Sequence, residues 1–249
     1  FLRLARYDRK SGEVRGLSDT WDGAPDTWDF TPDGGTILFT ADTRGRSHLY
    51  ALGIDGGEPK LVARGGVIAG VTSAPGPRSG SPRLAFNRRS FTAPPQVATV
   101  TLADGLQGKE PRLLTAFNAA KLAGLELGTV SEETFTGGGG DPVHMFVIYP
   151  PGFDPNRKWP LLHFLHGGPY GSFQDDFHFR WNAQLAAARG YVVALVNFHG
   201  STGYGQAFEE SILGGHGALP FQDVMKATDA LLAKGFIDER RMAAAGGSY

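Results

Sequence analysis

A single serine hydroxyl is the foremost nucleophile candidate in this chain. Ser248 lies in the run Gly246-Gly247-Ser248-Tyr249 and follows Arg241 to Ala245, a short and mostly apolar segment that predicts a buried strand. A glycine before a serine at a strand end permits a sharp turn that exposes the hydroxyl for attack on a carbonyl. The G-x-S pattern also occurs in ordinary turns, and the chain contains 36 Gly. The sequence around Ser248 is therefore needed to distinguish a catalytic turn from an ordinary one.

A second motif, His166-Gly167-Gly168-Pro169, supplies groups that could stabilise negative charge. It follows the run Trp159 to Leu165, which predicts another buried strand, and it precedes the serine by about 80 residues. Acyl transfer needs backbone N–H groups aimed at the oxygen of the tetrahedral intermediate. We predict that the N–H groups of Gly168 and Tyr249 are these donors. A Gly-Gly-Pro turn alone is more often structural, but its spacing from the serine favours a catalytic role.

Strand and helix patterns alternate around the two motifs. Tyr191 to Phe198 predicts a further buried strand, and apolar residues at helical spacing predict helices over Trp181 to Arg189 and Pro220 to Lys234. Two alternating runs, 129–136 and 143–149, predict a hairpin. Strands that alternate with helices indicate right-handed crossovers and a doubly wound, mostly parallel sheet. Catalytic groups in such sheets lie at the carboxyl ends of the strands, where both motifs fall.

Four stretches carry a more specific pattern. They are YPPGFDPNRKWPLLHFLHGGPYG (149–171), NFHGSTGYGQAF (197–208), PFQDVMKATDALL (220–232) and IDERRMAAAGGSY (237–249). In combination they resemble the catalytic domain of the prolyl oligopeptidase family of serine peptidases, in its acylaminoacyl-peptidase and dipeptidyl-peptidase-V-like branch. The resemblance covers about half of the chain and implies an α/β-hydrolase domain. It also implies that Ser248 attacks a peptide carbonyl while Gly168 and Tyr249 donate to the oxyanion.

Three histidines near the motifs are given supporting roles. His166 is predicted to brace the oxyanion loop, whereas His199 and His216 are predicted to line a pocket or support a loop. In α/β-hydrolases the Asp or Glu and the His of the triad follow the serine in the chain. We therefore expect the catalytic Asp and His beyond Tyr249, and we expect this chain alone to be inactive.

The N-terminal half has a different pattern. Residues 1–117 consist of short alternating runs, and turns at Gly12, Gly56-Gly57 and Gly105 recur at roughly 45 residues, the length of a four-stranded propeller blade. An antiparallel sandwich would share this local pattern, but the family resemblance favours the C-terminal blades of a β-propeller. Since a propeller needs about four to eight blades, we expect further blades before Phe1. The resemblance also implies that the propeller limits substrates to oligopeptides.

The domain organisation follows from these patterns. We expect propeller blades over 1–117, a connector over 118–128, and the N-terminal part of an α/β-hydrolase domain over 129–249.

Composition narrows the classes of partner. Lys and Arg together number 24 against 25 Asp and Glu, so no broad attraction to nucleic acid or to a membrane surface is indicated. No apolar run is long enough to span a membrane. The chain has 0 Cys, which excludes disulfides and cysteine-ligated zinc and leaves the compartment, cytoplasmic or periplasmic, open. We expect no metal and no cofactor, and a homo-oligomer remains open.

The motifs and the resemblance together predict a serine peptidase that hydrolyses short peptides through an acyl-enzyme. An exopeptidase that releases dipeptides or acylated residues from N-termini is favoured. Two alternatives stay open at this point. An α/β-hydrolase esterase would use the same loop and the same serine, and a propeller-based binding protein could carry a non-functional hydrolase.

Overall fold

The computed structural model describes residues 2–76, 81–103, 106, 108 and 110–249. Gly105, one of the predicted turn glycines, lies outside these ranges. The chain divides into two compact units: residues up to Ala119 together with Gln174–Asp176 form unit 1, and Ala120–Phe173 with Phe177–Tyr249 form unit 2. The predicted domain boundaries at 117 and 128 stay predictions.

Unit 1 is built from strands. In chain order they are β1 (Ala5–Tyr7), β2 (Val14–Gly16), β3 (Pro25–Phe30), β4 (Thr36–Asp42), β5 (Ser47–Gly53), β6 (Lys60–Ala63), β7 (Val67–Ala74), β8 (Arg83–Ser90), β9 (Ala93–Thr101) and β10 (Arg112–Leu113). Strands β1 and β2 form a separate antiparallel pair.

The larger sheet of unit 1 consists of two antiparallel meanders. One runs β3-β4-β5-β6 and the other β7-β8-β9-β10, each with its strands in chain order. A parallel pairing of Ser47 with Val67 joins β5 to β7. The turn between β3 and β4 is closed by Gly34, which has φ 71° and donates its N–H to the Thr31 carbonyl at 2.8 Å. A turn of this kind, closed by residues close in the chain, lets two successive strands of a meander pair with each other.

Strand β4 is buried on both faces. Ile37, Phe39 and Ala41 pack into one hydrophobic cluster, whereas Leu38 on the opposite face packs into another. Because successive side chains of a strand point to opposite sides, an unbroken apolar run such as this one has both faces covered.

Unit 2 holds a five-stranded sheet and short helices. Its strands are β11 (Thr129–Thr136), β12 (Pro142–Tyr149), β13 (Trp159–Leu165), β14 (Val192–Asn197) and β15 (Ile237–Gly246). The helices are α1 (Ala119–Leu122) at the boundary of the units, α2 (Ala183–Ala187), α3 (Gln206–Glu210) and α4 (Ala218–Leu232), and a 3₁₀ turn spans Gly138–Gly140.

The sheet of unit 2 has the order β11-β12-β14-β13-β15. Strand β13 pairs parallel with both β14 and β15, but β11 pairs antiparallel with β12, and β12 antiparallel with β14. The expectation of a mostly parallel sheet is therefore wrong for this part of the chain, and the sheet is mixed. The reason is local, because the short turn between β11 and β12 cannot make the long crossover that a parallel pair requires.

The core of unit 2 forms between the sheet and α4. Strand β14 is buried at every residue, and Ala227 and Leu231 of α4 pack against the apolar cluster that it shares with β12 and β13. The predicted helix over 181–189 is shorter in the structure, since α2 begins after Asn182, whose side chain accepts the N–H of Gln184 at 2.9 Å. Within the described residues, no helix has the length and apolar character needed to cross a membrane.

His163 of β13 is a buried titratable group within this core. Its Nε2 lies 2.9 Å from the Thr228 hydroxyl, which itself donates to the Val224 carbonyl at 2.9 Å. The imidazole must therefore donate through Nε2, and its buried Nδ1 has no partner among the described residues. Burial lowers the pKa of His163 to about 4.

This burial predicts a pH-dependent stability. The unfolded chain takes up a proton at the ordinary histidine pKa of about 6.5 and the folded chain only near 4, so the unfolding free energy falls as the pH drops from 6.5 to 4. Between pH 7 and 4.5, His163→Leu should lose roughly 2 kcal/mol less stability than the wild type. Urea unfolding at the two pH values measures this difference, and equal losses would contradict the assignment.

Candidate active site

The two motifs leave the sheet side by side. Strands β13 and β15 are parallel neighbours, and their last register pair joins Leu165 to Gly246. The next residues of each strand, His166 and Gly247, therefore emerge at the same carboxyl edge. This is the edge at which sheets of this type carry their catalytic groups.

The two loops touch through backbone atoms. A Cβ placed on Gly167 would overlap the carbonyl oxygen of Gly247 and lie 2.8 Å from Cβ of Ser248. A Cβ on Gly246 would lie 2.6 Å from the Leu165 carbonyl oxygen. Side chains at either position are excluded by backbone that cannot move aside, so the glycines permit the close approach of the two motifs.

Ser248 adopts a left-handed backbone conformation. Its φ is 72°, one of the few positive values at a non-glycine residue among the described residues. Such a conformation costs an L-residue of order 1 kcal/mol or more and is concentrated at functional sites. A serine held in this way at the end of a strand matches the strained turn that presents a nucleophile. Ser248 is exposed, and its hydroxyl has no hydrogen-bond partner in residues 110–249.

Two amides beside the serine are available as donors. Gly168 has φ 57°, and no heavy atom lies within 4 Å of the place where its Cβ would be. Within residues 110–249, neither its N–H nor that of Tyr249 is paired. Unpaired amides next to an exposed hydroxyl can stabilise an oxyanion. The assignment of Gly168 and Tyr249 as the donors stays a prediction.

His166 is packed beneath this loop as a neutral ring. It stacks on Phe198 with ring centroids 4.0 Å apart, and its edge meets Phe173 at 5.3 Å. Its Nε2 lies 3.0 Å from the Ser201 hydroxyl, which donates to the Phe198 carbonyl at 2.6 Å, so Nε2 carries the proton. Burial lowers the pKa of His166 to about 4, and the ring is neutral at pH 7.

The other two predicted supporting histidines differ in exposure. His199 is fully buried, with Nδ1 2.7 Å from one carboxylate oxygen of Asp223 and Nε2 3.2 Å from a carboxylate oxygen of Asp141. His216 is exposed, and its backbone carbonyl accepts the phenol of Tyr249. His199 therefore bonds two carboxylates inside unit 2, whereas His216 contacts Tyr249, the residue that follows Ser248.

Three buried polar residues near the site were not identified from the sequence. Asn197, Ser201 and Asp223 each have 0% exposed surface. Asp223 accepts the N–H of Gly138 at 2.6 Å and that of His199 at 2.7 Å, in addition to the imidazole. Asn197 carries a signal, since it stands near the end of an apolar run, but its partner Phe173 is distant in sequence. Nothing in the surrounding sequence marks Ser201 or Asp223. Sequence spacing alone could not have paired these residues with their partners.

Titratable partners for the serine are absent from the part of unit 2 that the structure describes. No imidazole there bonds the Ser248 hydroxyl, and no cluster of three or more His, Cys, Asp or Glu side chains among the described residues could hold a metal ion. The arrangement supplies an exposed serine hydroxyl and two unpaired amides.

The close approach of the loops predicts that alanine lowers the stability of the protein at Gly167 but not at Gly215. Gly167→Ala should destabilise the protein by about 2 kcal/mol, because its Cβ would press on the Gly247 backbone. Gly215→Ala is the matched control, since nothing lies within 4 Å of its Cβ position, and it should be neutral or stabilise by less than about 1 kcal/mol. Thermal unfolding of both variants measures this contrast. Equal midpoints would show that the loops are not packed as described.

Comparison with known proteins places the chain among peptidases. Residues 177–249 match the model of the prolyl oligopeptidase family. The chain is 32% identical over 243 residues to dipeptidyl-peptidase 5 of Aspergillus fumigatus, an alignment that covers 95% of this chain and 32% of the relative. The chain thus spans about a third of the length of the curated relatives that it matches.

Solved structures give the same result for the fold. An acylaminoacyl peptidase of Pyrococcus horikoshii aligns with a TM-score of 0.79 at 26% identity, over 98% of this chain and 36% of the other. Dipeptidyl peptidase 4 of Porphyromonas gingivalis aligns with a TM-score of 0.74 at 18% identity, over 98% of this chain and 34% of the other, which supports the fold alone. Peptidases of this family have an α/β-hydrolase domain. The predicted resemblance to the prolyl oligopeptidase family of serine peptidases is therefore confirmed.

Proposed function

We propose that the protein is a serine peptidase in which Ser248 is the nucleophile. The observation that carries this proposal is the left-handed Ser248, held against the Gly167 backbone at the carboxyl ends of β13 and β15. The Ser248 Oγ attacks the peptide carbonyl carbon while a general base takes its proton. The C–N bond then breaks, the amine leaves with that proton, and water hydrolyses the acyl-enzyme.

The oxyanion of this reaction would be bound by backbone amides. Gly168 and Tyr249 flank the nucleophile and have unpaired N–H groups within residues 110–249. Donors of this kind act on the charge that develops in the transition state, and removing one costs about a hundredfold or more in rate. Neutral His166 supports the loop and has no part in proton transfer.

The general base is proposed to come from sequence outside these 249 residues. The base of such a triad is a histidine oriented by a carboxylate. In the described part of unit 2, the imidazoles of His144, His163, His166 and His199 are bonded to other side chains. The His178 ring accepts two backbone N–H groups, and the exposed His216 ring makes no hydrogen bond to the Ser248 hydroxyl. The chain by itself is therefore proposed to be inactive.

The substrates are proposed to be short peptides, cleaved near their N-termini. Relatives named dipeptidyl-peptidase 5 and acylaminoacyl peptidase support release of dipeptides or of acylated residues. We further propose that unit 1 belongs to a β-propeller. Its two consecutive four-stranded antiparallel meanders have the strand order of propeller blades.

The decisive experiment uses the longer protein that contains this sequence. We expect it to hydrolyse either a free dipeptide chromogenic amide or an N-acetylated single-residue amide, and the preferred substrate identifies the type of exopeptidase. Ser248→Ala should lower kcat by at least about a thousandfold. Ser211→Ala, at an exposed serine that ends α3, is the control and should keep the wild-type rate.

Three outcomes would contradict the proposal. Activity that survives in Ser248→Ala would remove the nucleophile assignment. Cleavage of simple esters without cleavage of either amide would indicate an esterase, and the absence of all hydrolysis would indicate a binding protein.

A separate expectation concerns the 249 residues alone. Without a base to take the serine proton, a preparation of these residues that is folded should show no turnover of either amide at pH 7.5. Circular dichroism checks the fold and a chromogenic assay checks the rate. Turnover that is lost on Ser248→Ala would place a base within these residues.

A further inference from the structure

The oxyanion loop has no regular secondary structure of its own. It runs from His166 at the end of β13 to Phe173 and carries Gly168 in a left-handed conformation. A glycine-rich segment loses more conformational freedom on ordering than other segments do. An oxyanion donor works only if its position is set before the reaction. Contacts from outside the loop must therefore hold it.

Asn197 makes a two-way contact with the end of this loop. It is the last residue of β14 and has 0% exposed surface. Its Oδ1 accepts the N–H of Phe173 at 2.7 Å, and its Nδ2 donates to the Phe173 carbonyl at 3.0 Å. The side-chain amide of Asn197 thus bonds both the N–H and the carbonyl of Phe173, as a neighbouring residue in an antiparallel strand would.

A chain of hydrogen bonds fixes the orientation of that amide. The second N–H of Asn197 points to the Tyr204 hydroxyl at 2.8 Å, and Tyr204 donates in turn to Nδ1 of His144 at 2.7 Å. Because an amide N–H of the backbone can only donate and a carbonyl can only accept, a flipped Asn197 would lose both bonds to Phe173. The orientation is therefore determined by chemistry.

The same segment holds the loop at two further points. The N–H of Thr202 donates to the Gly171 carbonyl at 3.1 Å, and Ser201 accepts from His166 at 3.0 Å. Gly168 lies between these anchors along the chain. The segment 197–204 thus contacts the beginning, the middle and the end of the oxyanion loop.

We infer that Asn197 is a positioning residue for the reaction: with Tyr204 behind it, it sets the place of the oxyanion donor Gly168. The inference rests on the proposed function, because it requires Ser248 and Gly168 to act on the same carbonyl. A displaced donor weakens binding of the transition state and leaves binding of the uncharged substrate largely unchanged. Loss of Asn197 should therefore reduce kcat much more than it changes KM.

The test compares Asn197→Ala and Tyr204→Phe with wild type in the longer protein. Asn197→Ala removes both bonds to Phe173 and should lower kcat about thirtyfold or more, with KM within about threefold. Tyr204→Phe keeps the ring, removes the hydroxyl that accepts the second N–H of the Asn197 amide, and should lower kcat about three- to tenfold. Thr228→Val removes a partly buried hydroxyl bonded to His163 and should leave kcat unchanged.

A second readout separates positioning from general loosening. A peptide boronic acid becomes tetrahedral and anionic on the serine, whereas the matching peptide alcohol, with CH2OH in place of the reacting carbonyl, stays uncharged at the site. The boronate affinity should fall in parallel with kcat in both variants, and the affinity for the peptide alcohol should stay constant. If Asn197→Ala does not fold, Tyr204→Phe alone carries the test through the same pair of affinities.

The outcomes distinguish a failure of the role of Asn197 from a failure of the proposed function. Unchanged kcat and boronate affinity in the folded variants, with activity that still depends on Ser248, would overturn the role of Asn197 alone. Activity that persists in Ser248→Ala would overturn the proposed function and this inference together. Equal losses of affinity for the boronate and for the peptide alcohol would also contradict positioning, because they indicate a general loss of the site.

Discussion

Backbone-to-backbone contact between the ends of two parallel strands is the constraint on which the site depends. The register that pairs Leu165 with Gly246 brings the following residues so close that Gly167 has no space for a Cβ. The backbone conformations of the neighbouring residues allow the two strand ends to come this close. The serine turns away with a positive φ, and the loop bends through Gly168. Glycine is needed here because the two chains share the space that a side chain would occupy.

The apolar residues of the sheet and the buried polar residues beyond the strand ends have different structural roles. Buried apolar residues of β12, β13 and β14 fix where the strands end. Beyond those ends the chain has no ladder partners, so buried side chains must satisfy the backbone. Asn197, Ser201 and Asp223 do so for the loops around the site. Hydrogen bonds that are buried and fully paired define one arrangement where apolar packing alone would allow several.

Much of the hydrolase unit could be predicted from the sequence, because its strands are continuous apolar runs with sharp ends. Trp159 to Leu165 was predicted with the bounds that β13 has, and the predicted strand over 191–198 differs from β14 by a residue at each end. The β11–β12 hairpin was predicted, but the antiparallel pairing of β12 with β14 was missed, since apolar periodicity does not report the direction of a neighbouring strand. The partner of Asn197 was missed because Phe173 is 24 residues away and an amide carries no sign of its acceptor.

Asp223 has an implication for how this sequence can vary. One carboxylate of α4 accepts backbone N–H hydrogen bonds from the turn after β11 and from the segment after β14, and it is also bonded to the His199 ring. No neutral side chain of similar size offers as many acceptor positions, so a replacement leaves at least one donor without a partner. Tolerance at this position would require simultaneous changes in three segments that are separate in the chain. Asp223 therefore couples the substitutions that those three segments can accept.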